Sequence, residues 1–370
     1  MNRPQPGAAP ASSVVTGREA RAHWERIAAA VPQSVGRLPL WADMVCASGR
    51  FTDATRAYHR PDGRVLVLPL VRRRTPPGRL ALYESWPWGW DAGVDSGLVS
   101  DGPVTAEDVE AVAADLAHLP AARVRVEPGV LDGEAWAAAD LSGWLRRSST
   151  SHVVDLPAGG GPPVLEGLSR NSLRKLRKGE RSFHVECDDT GRLLPVFQAL
   201  LQRSMDAWAE QHWLPTPLAR RLLLHRDPPE RRADLVRRLD GGLRVWAAYD
   251  GSRPVAAIVV LSAGPTAVYW GGATDKEAAR NRGAGQLVHA RALEAAVAEG
   301  RARYDMGTSG AADLVSFKEG MGARPVDHPS FALEHVPITS TEARLRGGLR
   351  VVTTRAVRAR RALGGAGSPT

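Results

Sequence analysis

The chain has 370 residues, 43% hydrophobic and 24% charged, with a formal net charge of +9. These proportions are typical of a folded globular protein long enough for two cores. No apolar run reaches the roughly 18 residues that a membrane-spanning helix needs. Cys46 and Cys187 are isolated, which argues against a disulfide framework or a cysteine zinc site. We therefore expect a cytoplasmic protein with no stable membrane insertion.

The first part of the chain predicts a mixed α/β domain over 18–155, after a Pro/Ala/Ser/Gly-rich segment, 1–17, that we expect to be disordered. Helices are predicted over 18–31 and 105–118, and Thr105 and Asp108 have the spacing of a capping box. Alternating apolar segments predict strands at 51–58, 64–72, 79–84, 122–127 and 147–155.

A Gly/Pro-rich linker separates this part from a second predicted domain over 156–340. Helical periodicity predicts helices over 164–181, 192–211, 216–238, 285–299 and 311–320. Strands are predicted at 243–249, 254–262, 266–271, 302–306 and 330–336. This order predicts a twisted mixed sheet with helices on both faces.

The positive charge is concentrated in two segments. Residues 169–181 carry six basic residues and one acid, and the tail 341–370 carries seven arginines and one glutamate. A basic helix with Arg170, Arg174 and Lys175 is suited to the phosphates of a nucleotide-linked acceptor or of transfer RNA, although a solvated helix face has the same pattern. The tail could contact RNA or an anionic membrane surface, or form a partly ordered terminal helix.

The segment 280–285 reads Arg-Asn-Arg-Gly-Ala-Gly and opens a predicted helix. A glycine turn at a helix start presents unpaired backbone N–H groups and a positive dipole end, which suits an anion. An ordinary loop before an amphipathic helix is the alternative. We therefore place the phosphate of a donor on Arg280, Arg282, Gly283, Ala284 and Gly285.

Two motifs follow that helix: Tyr-Asp-Met-Gly at 304–307 and Ser-Phe-Lys-Glu-Gly-Met-Gly at 316–322. Lys318 is one of four lysines among 49 basic residues. An ammonium can change its protonation state, whereas a guanidinium cannot. Asp305 stands at a strand end, where it could orient an amine or Lys318, or cap the following loop.

The glycine turn matches the Arg/Gln-x-x-Gly-x-Gly/Ala pattern of the GNAT acyltransferases, and residues 150–336 resemble the Fem-type branch of that superfamily together with related acetyltransferase-like proteins. The positions that match the branch are Tyr304, Asp305, Gly307, Phe317, Lys318, Met321 and Gly322. The resemblance implies an α/β (α+β) fold of tandem GNAT-like domains. Each domain would be a twisted mixed β-sheet flanked by helices, complete in the second domain and degenerate in the first.

The resemblance also implies roles for these residues. The glycine turn would bind the pyrophosphate of coenzyme A, and the preceding strand would carry the acyl thioester. Lys318, Asp305 and Tyr304 would be catalytic, with Lys318 stabilising the oxyanion or the leaving group. Phe317 lies at the position where many GNAT enzymes have a tyrosine that acts as general acid for the leaving thiolate.

The acceptor site is predicted from aromatic residues and from the basic helix. Trp88 lies in the run Trp-Pro-Trp-Gly-Trp at 86–90, which could line an acceptor pocket or pack around a tight turn. We place Arg170, Arg174, Lys175, Trp88 and Phe317 on the substrate. No metal is expected, because His152, His184 and His289 have no metal-ligand spacing.

These observations predict an N-acyltransferase that moves an acyl group from acyl-CoA, first of all acetyl-CoA, to an amine of a small-molecule or peptide-like acceptor. One alternative is an aminoacyltransferase that uses aminoacyl-tRNA to extend a peptidoglycan precursor or a natural-product amine. Another is a non-catalytic binding protein on the same fold. The sequence leaves the acceptor and the oligomeric state open.

Overall fold

A computed structural model describes residues 13–74, 81–87, 89–90, 95–157, 164–211, 216–217, 220–221, 224, 228–309 and 311–338. Trp88 and the basic tail 341–370 lie outside the described residues. Along the part described, no helix is both long and apolar enough to cross a membrane.

The first half alternates short strands with four α-helices among its described residues. The strands are β1 Ser13–Thr16, β2 Phe51–Asp53, β3 Arg56–His59, β4 Val65–Leu68, β5 Val71–Arg73, β6 Ala81–Glu84, β7 Val99–Ser100, β8 Ala121–Val126 and β9 Leu145–Asp155. The helices are α1 Gly17–Ala30, α2 Pro39–Ala47, α3 Ala106–Ala117 and α4 Gly133–Ala138.

The second half has longer strands, all within one sheet. The strands are β10 His184–Asp188, β11 Leu243–Asp250, β12 Arg253–Ala263, β13 Thr266–Thr274, β14 Arg303–Thr308 and β15 Arg324–Glu334. The helices are α5 Arg170–Ser182, α6 Leu194–Gln211, α7 Pro229–Leu239, α8 Ala284–Ala298 and α9 Ala312–Gly320.

Two sheets organise the described strands. The smaller has the order β1-β3-β4-β7, and the larger has the order β10-β11-β12-β13-β14-β9-β15-β8-β6-β5-β2. Each half contributes one parallel pair to the larger sheet, β6 with β8 and β13 with β14, and a helix connects the two strands of each pair. This repeated arrangement gives the mixed α/β fold of two similar halves that the sequence predicts.

The last strand joins the two halves. β15 pairs with β9 along Arg324–Ala332 and with β8 along Phe331–Glu334, while the end of β9 pairs with β14. A buried hydrophobic cluster also crosses between the halves, since Trp24 and Trp41 of the first half share it with Phe197 and Val245 of the second. The domain boundary near residue 155 stays a prediction.

Several predicted elements differ from those observed for local reasons. The run 51–58 divides into β2 and β3, because Asp53 accepts a hydrogen bond from the Thr55 amide and turns the chain between the two sheets. The run 64–72 divides at Pro69, which has no amide to donate to a ladder. Residues 13–16, predicted within a disordered segment, form β1 against β3.

The basic helix also begins later than predicted. Residues 164–167 form a separate 3₁₀ turn, and α5 starts only after Ser169, whose hydroxyl accepts a hydrogen bond from the Ser172 amide. Serine at this position satisfies one of the helix's free N–H groups.

Candidate functional site

The glycine turn packs directly against the basic helix. Gly283 precedes α8 with a φ of 80°, in the left-handed region that favours glycine. A Cβ atom at Gly283 would overlap the backbone carbonyl oxygen of Lys175 in α5, and one at Gly179 would come within 2.8 Å of the Gly283 oxygen. The turn therefore needs glycine for helix packing, whether or not it also binds an anion.

The two arginines of this turn differ in their surroundings. The Arg282 Nη2 atom lies 2.5 Å from Asp250 Oδ2 and 2.6 Å from the Ala278 carbonyl oxygen, and its guanidinium lies 4.6 Å from the centre of the Phe183 ring. Arg280 is exposed, and the structure gives it no ion pair among the described residues. Arg280 is therefore the better placed of the two to meet a phosphate from solvent.

The strands β13 and β14 separate after a short parallel pairing. Their parallel pairing joins only Thr266–Val268 to Arg303–Asp305, although β13 continues to Thr274 and β14 to Thr308. Near this point β13 also bulges, because Val259 and Val260 of β12 face Gly271 and Tyr269 with Trp270 left over. Beyond Val268, the described residues of β13 have no ladder partner in β14.

Lys318 is buried where β14 ends. Its side chain extends from α9, and its Nζ atom donates hydrogen bonds to the carbonyl oxygens of Gly307 at 2.8 Å and Thr308 at 2.9 Å. Burial lowers the pKa of Lys318 to about 8, while the Asp305 carboxylate acts in the opposite direction. An ammonium with a pKa near 8 can donate a hydrogen bond at neutral pH and can also lose its proton.

Asp305 is buried beside this lysine, and its Oδ1 atom accepts a hydrogen bond of 2.6 Å from the Gly307 amide. Burial raises the pKa of Asp305 to about 7, and the next largest cause is the charge of Asp95. Asp95 belongs to the first half and is itself buried, with a pKa that burial raises to about 6. Asp95 is not predicted from the sequence, because no motif surrounds it.

Tyr304 faces away from Asp305 into the core of the second half. Its side chain is fully buried, and its hydroxyl lies 3.1 Å from His289 Nδ1. Burial lowers the pKa of His289 to about 3, so the imidazole is neutral at physiological pH. The His289 ring also contacts the rings of Tyr269 and Phe317, with centroid distances of 4.7 and 5.4 Å. The catalytic role of Tyr304 stays a prediction, and its burial favours a positioning role.

A pocket of about 470 Å³ lies between α5, α8 and α9. Its lining includes two residues that the sequence analysis assigned to substrate, Lys175 and Phe317, together with Gln286 from the first turn of α8. Hydroxyl groups of Ser169, Ser172 and Ser316 add hydrogen-bonding capacity. Arg170 and Arg174 are exposed on α5 and do not line this pocket.

The tryptophan run is largely packed at the junction of the halves. The indole nitrogen of Trp86 donates a hydrogen bond of 3.1 Å to the Gly36 carbonyl oxygen. The Arg231 guanidinium lies over the Trp90 ring, 3.6 Å from the ring centroid. Both indoles are buried. Because Trp88 lies outside the described residues, its assignment to the acceptor remains untested.

Residues 168–319 match a family model described as an acetyltransferase (GNAT) domain. The matched range includes the glycine turn, the separated strands and Lys318. A search of curated proteins found no match to the chain.

Solved structures share the fold over most of the chain. FemX aligns with a TM-score of 0.61 at 14% identity, covering 87% of this chain and 97% of its own. A conserved protein of unknown function from Bacteroides thetaiotaomicron aligns with a TM-score of 0.52 at 10% identity, covering 88% and 99%. A tandem GNAT protein from the clavulanic acid biosynthesis pathway aligns with a TM-score of 0.46 at 14% identity, covering 88% and 99%. Residues 168–319, in the second half, therefore form a GNAT domain, and the chain as a whole shares the fold of FemX.

Proposed function

We propose that the chain is an N-acyltransferase that moves an acyl group from acyl-CoA to an amine. The observation that carries this proposal is the buried Lys318 ammonium, held by the Gly307 and Thr308 carbonyl oxygens where β14 leaves β13. A positive group in a water-poor site suits the negative charge that develops on a carbonyl oxygen during acyl transfer.

The reaction has simple requirements that these residues can meet. The neutral amine attacks the thioester carbonyl carbon, a C–N bond forms, and the C–S bond then breaks to release a thiolate. Lys318 donates a hydrogen bond to the carbonyl oxygen as it becomes an oxyanion. Asp305, with its pKa raised to about 7, accepts the proton that the attacking amine loses, and the thiolate takes a proton from solvent.

Support for an acyl-CoA donor comes from the start of α8. The first-turn N–H groups of a helix have no partners within the helix, and α8 has no acidic residue in its first turn. Exposed Arg280 precedes this turn and adds positive charge. The divergence of β13 from β14 would allow an extended pantetheine arm to lie along β13 towards Lys318.

A second candidate donor is aminoacyl-tRNA, and the exposed basic face of α5 favours it. Among the described residues, Arg170, Arg177, Lys178 and Arg181 are exposed and form no ion pair with another side chain. A cluster of exposed cations binds nucleic acid through counterion release, so its affinity would fall steeply with salt.

Two ligands and two variants separate these donors. Calorimetry with coenzyme A should give saturable binding that Arg280→Ala weakens and the double variant Arg170→Ala/Arg174→Ala leaves unchanged. An aminoacyl-tRNA donor predicts the opposite pattern in filter binding with charged tRNA: the α5 double variant should weaken tRNA binding, and Arg280→Ala should leave it unchanged. If tRNA binds in a salt-dependent manner that the α5 double variant weakens, and coenzyme A does not bind, the donor is aminoacyl-tRNA and our assignment is wrong.

A further inference from the structure

We propose that the first half contains a binding site for a divalent transition-metal ion, formed by Glu19, His23 and His59. One potential ligand atom from each of these side chains lies within 4.8 Å of the other two. This site lies outside the acyltransferase centre, and the inference does not depend on the transfer reaction.

The local fold brings the three side chains together. Glu19 and His23 are four residues apart on α1, so they occupy the same face of the helix one turn apart. His59 ends β3 and pairs in register with Ser13 of β1, the strand that runs directly into α1. The two imidazole rings meet edge to face, with a centroid distance of 4.8 Å and an interplanar angle of 82°.

Two imidazoles and one carboxylate are a ligand set that suits Zn²⁺, with water in the fourth position. Bonds of about 2.0–2.2 Å in a tetrahedral site place neighbouring ligand atoms about 3.4 Å apart. The three side chains therefore need to close by little more than an ångström. Glu19 is exposed, and the two histidines are partly exposed, so side-chain rotation can supply this movement.

The sequence predicts no metal site, and the distance along the chain between the candidate ligands explains why no motif reveals this cluster. The pair Glu19 and His23 has helical spacing, but a third ligand was needed, and His59 is 36 positions further along the chain. Only the packing of α1 against β3 brings it to the pair. A bound ion would connect the first helix to the four-stranded sheet.

The test uses the full chain without a polyhistidine tag, titrated with Zn²⁺ by calorimetry. We expect one equivalent to bind saturably and the melting temperature to rise with free Zn²⁺, since an ion that binds only the folded state stabilises it. Removal of the ion with a chelator should reverse the rise. Co²⁺ in place of Zn²⁺ should give the visible absorption bands of a tetrahedral nitrogen and oxygen site.

Three variants decide whether these residues are the ligands. Glu19→Gln, which changes an exposed side chain and should preserve the fold, and His23→Ala should each weaken Zn²⁺ binding by at least about tenfold. His118→Ala is the matched control, because His118 is an exposed histidine in the same half at the end of α3, and it should bind as the parent does. Absence of saturable binding in the parent, or binding in Glu19→Gln and His23→Ala that is as tight as in the parent, would overturn the proposal.

Discussion

The two halves of the chain contain the same parallel strand pair and connecting helix. The helix in the second half has a start that suits an anion, and the helix in the first half does not. In the first half, α3 begins at a complete capping box, in which Thr105 and Asp108 satisfy each other's backbone amides. Glu107 adds a further negative charge to that first turn. In the second half, α8 begins at Gly283 without a side-chain cap or an acid, and two arginines precede it.

The parallel strand pairs of the two halves also differ, because the pair in the first half stays closed and the pair in the second half separates. β6 and β8 remain paired along four residues of β6, and a buried ion pair of 3.0 Å joins Glu84 to Arg123 across them. β13 and β14 separate after three residue pairs, beside buried Lys318. A self-capped helix and a closed strand pair offer fewer unpaired backbone groups to a ligand, which is why we place the proposed donor site in the second half.

The largest effect is expected at Lys318. Removing a hydrogen-bond donor that stabilises an oxyanion lowers kcat by about 10²–10³. Lys318→Met should show this loss in a steady-state assay of acyl transfer while leaving the circular dichroism spectrum unchanged, because a linear apolar side chain still fills the site. If turnover in Lys318→Met equals that of the parent, Lys318 has no catalytic role. If the parent itself shows no turnover, a non-catalytic protein on this fold becomes the better interpretation.

Gly283 and Gly285 give a matched pair at the start of α8. Gly283→Ala places a Cβ against the Lys175 carbonyl at a φ of 80°, so we expect destabilisation of about 1–3 kcal/mol. A Cβ at Gly285 meets only ordinary contact with Phe317 at 3.7 Å, so Gly285→Ala should unfold near the parent midpoint. Chemical denaturation measures both. Equal stability of the two variants would mean that the Lys175 carbonyl of α5 does not pack closely against Gly283.

The pH dependence of kcat tests the interaction between Lys318 and Asp305. If the lysine acts as an ammonium, kcat should fall as the pH rises through about 8, where Lys318 loses its proton. Asp305→Asn removes the proposed proton acceptor and should lower kcat, and it also removes the charge that raises the pKa of Lys318. In the activity that remains, the fall should therefore begin at a lower pH. Arginine does not titrate in this range, so any activity left in Lys318→Arg should show no such fall. If the fall in kcat occurs at the same pH in Asp305→Asn as in the parent, the Asp305 charge does not raise the pKa of Lys318.

The smallest effect is expected at the start of α3. Thr105→Ala removes the hydroxyl that caps the helix and should lower the free energy of unfolding by about 1 kcal/mol. Coenzyme A binding should not change, because the first half has no donor site in our assignment. A change in coenzyme A affinity, measured by calorimetry, would show that the first half takes part in donor binding.

Local patterns in the sequence were enough for much of the fold. The capping box at Thr105 and the helical spacing of α8 were confirmed because caps and periodicity act over a few residues. Strand boundaries were less accurate. The single apolar runs around Asp53 and Pro69 each supply two strands to different sheets, and only the packing of those sheets reveals the division.

The sequence by itself identified the GNAT domain of the second half, because the glycine turn and the Tyr-Asp-Met-Gly and Phe-Lys motifs are short runs whose residues need no distant partner to be recognised. The tertiary structure alone revealed that α5 covers Gly283 and that Asp95 lies near Asp305. It also brings His59 to Glu19 and His23. These relations join residues that are tens to hundreds of positions apart, and no local pattern encodes them because chain folding alone sets their distances.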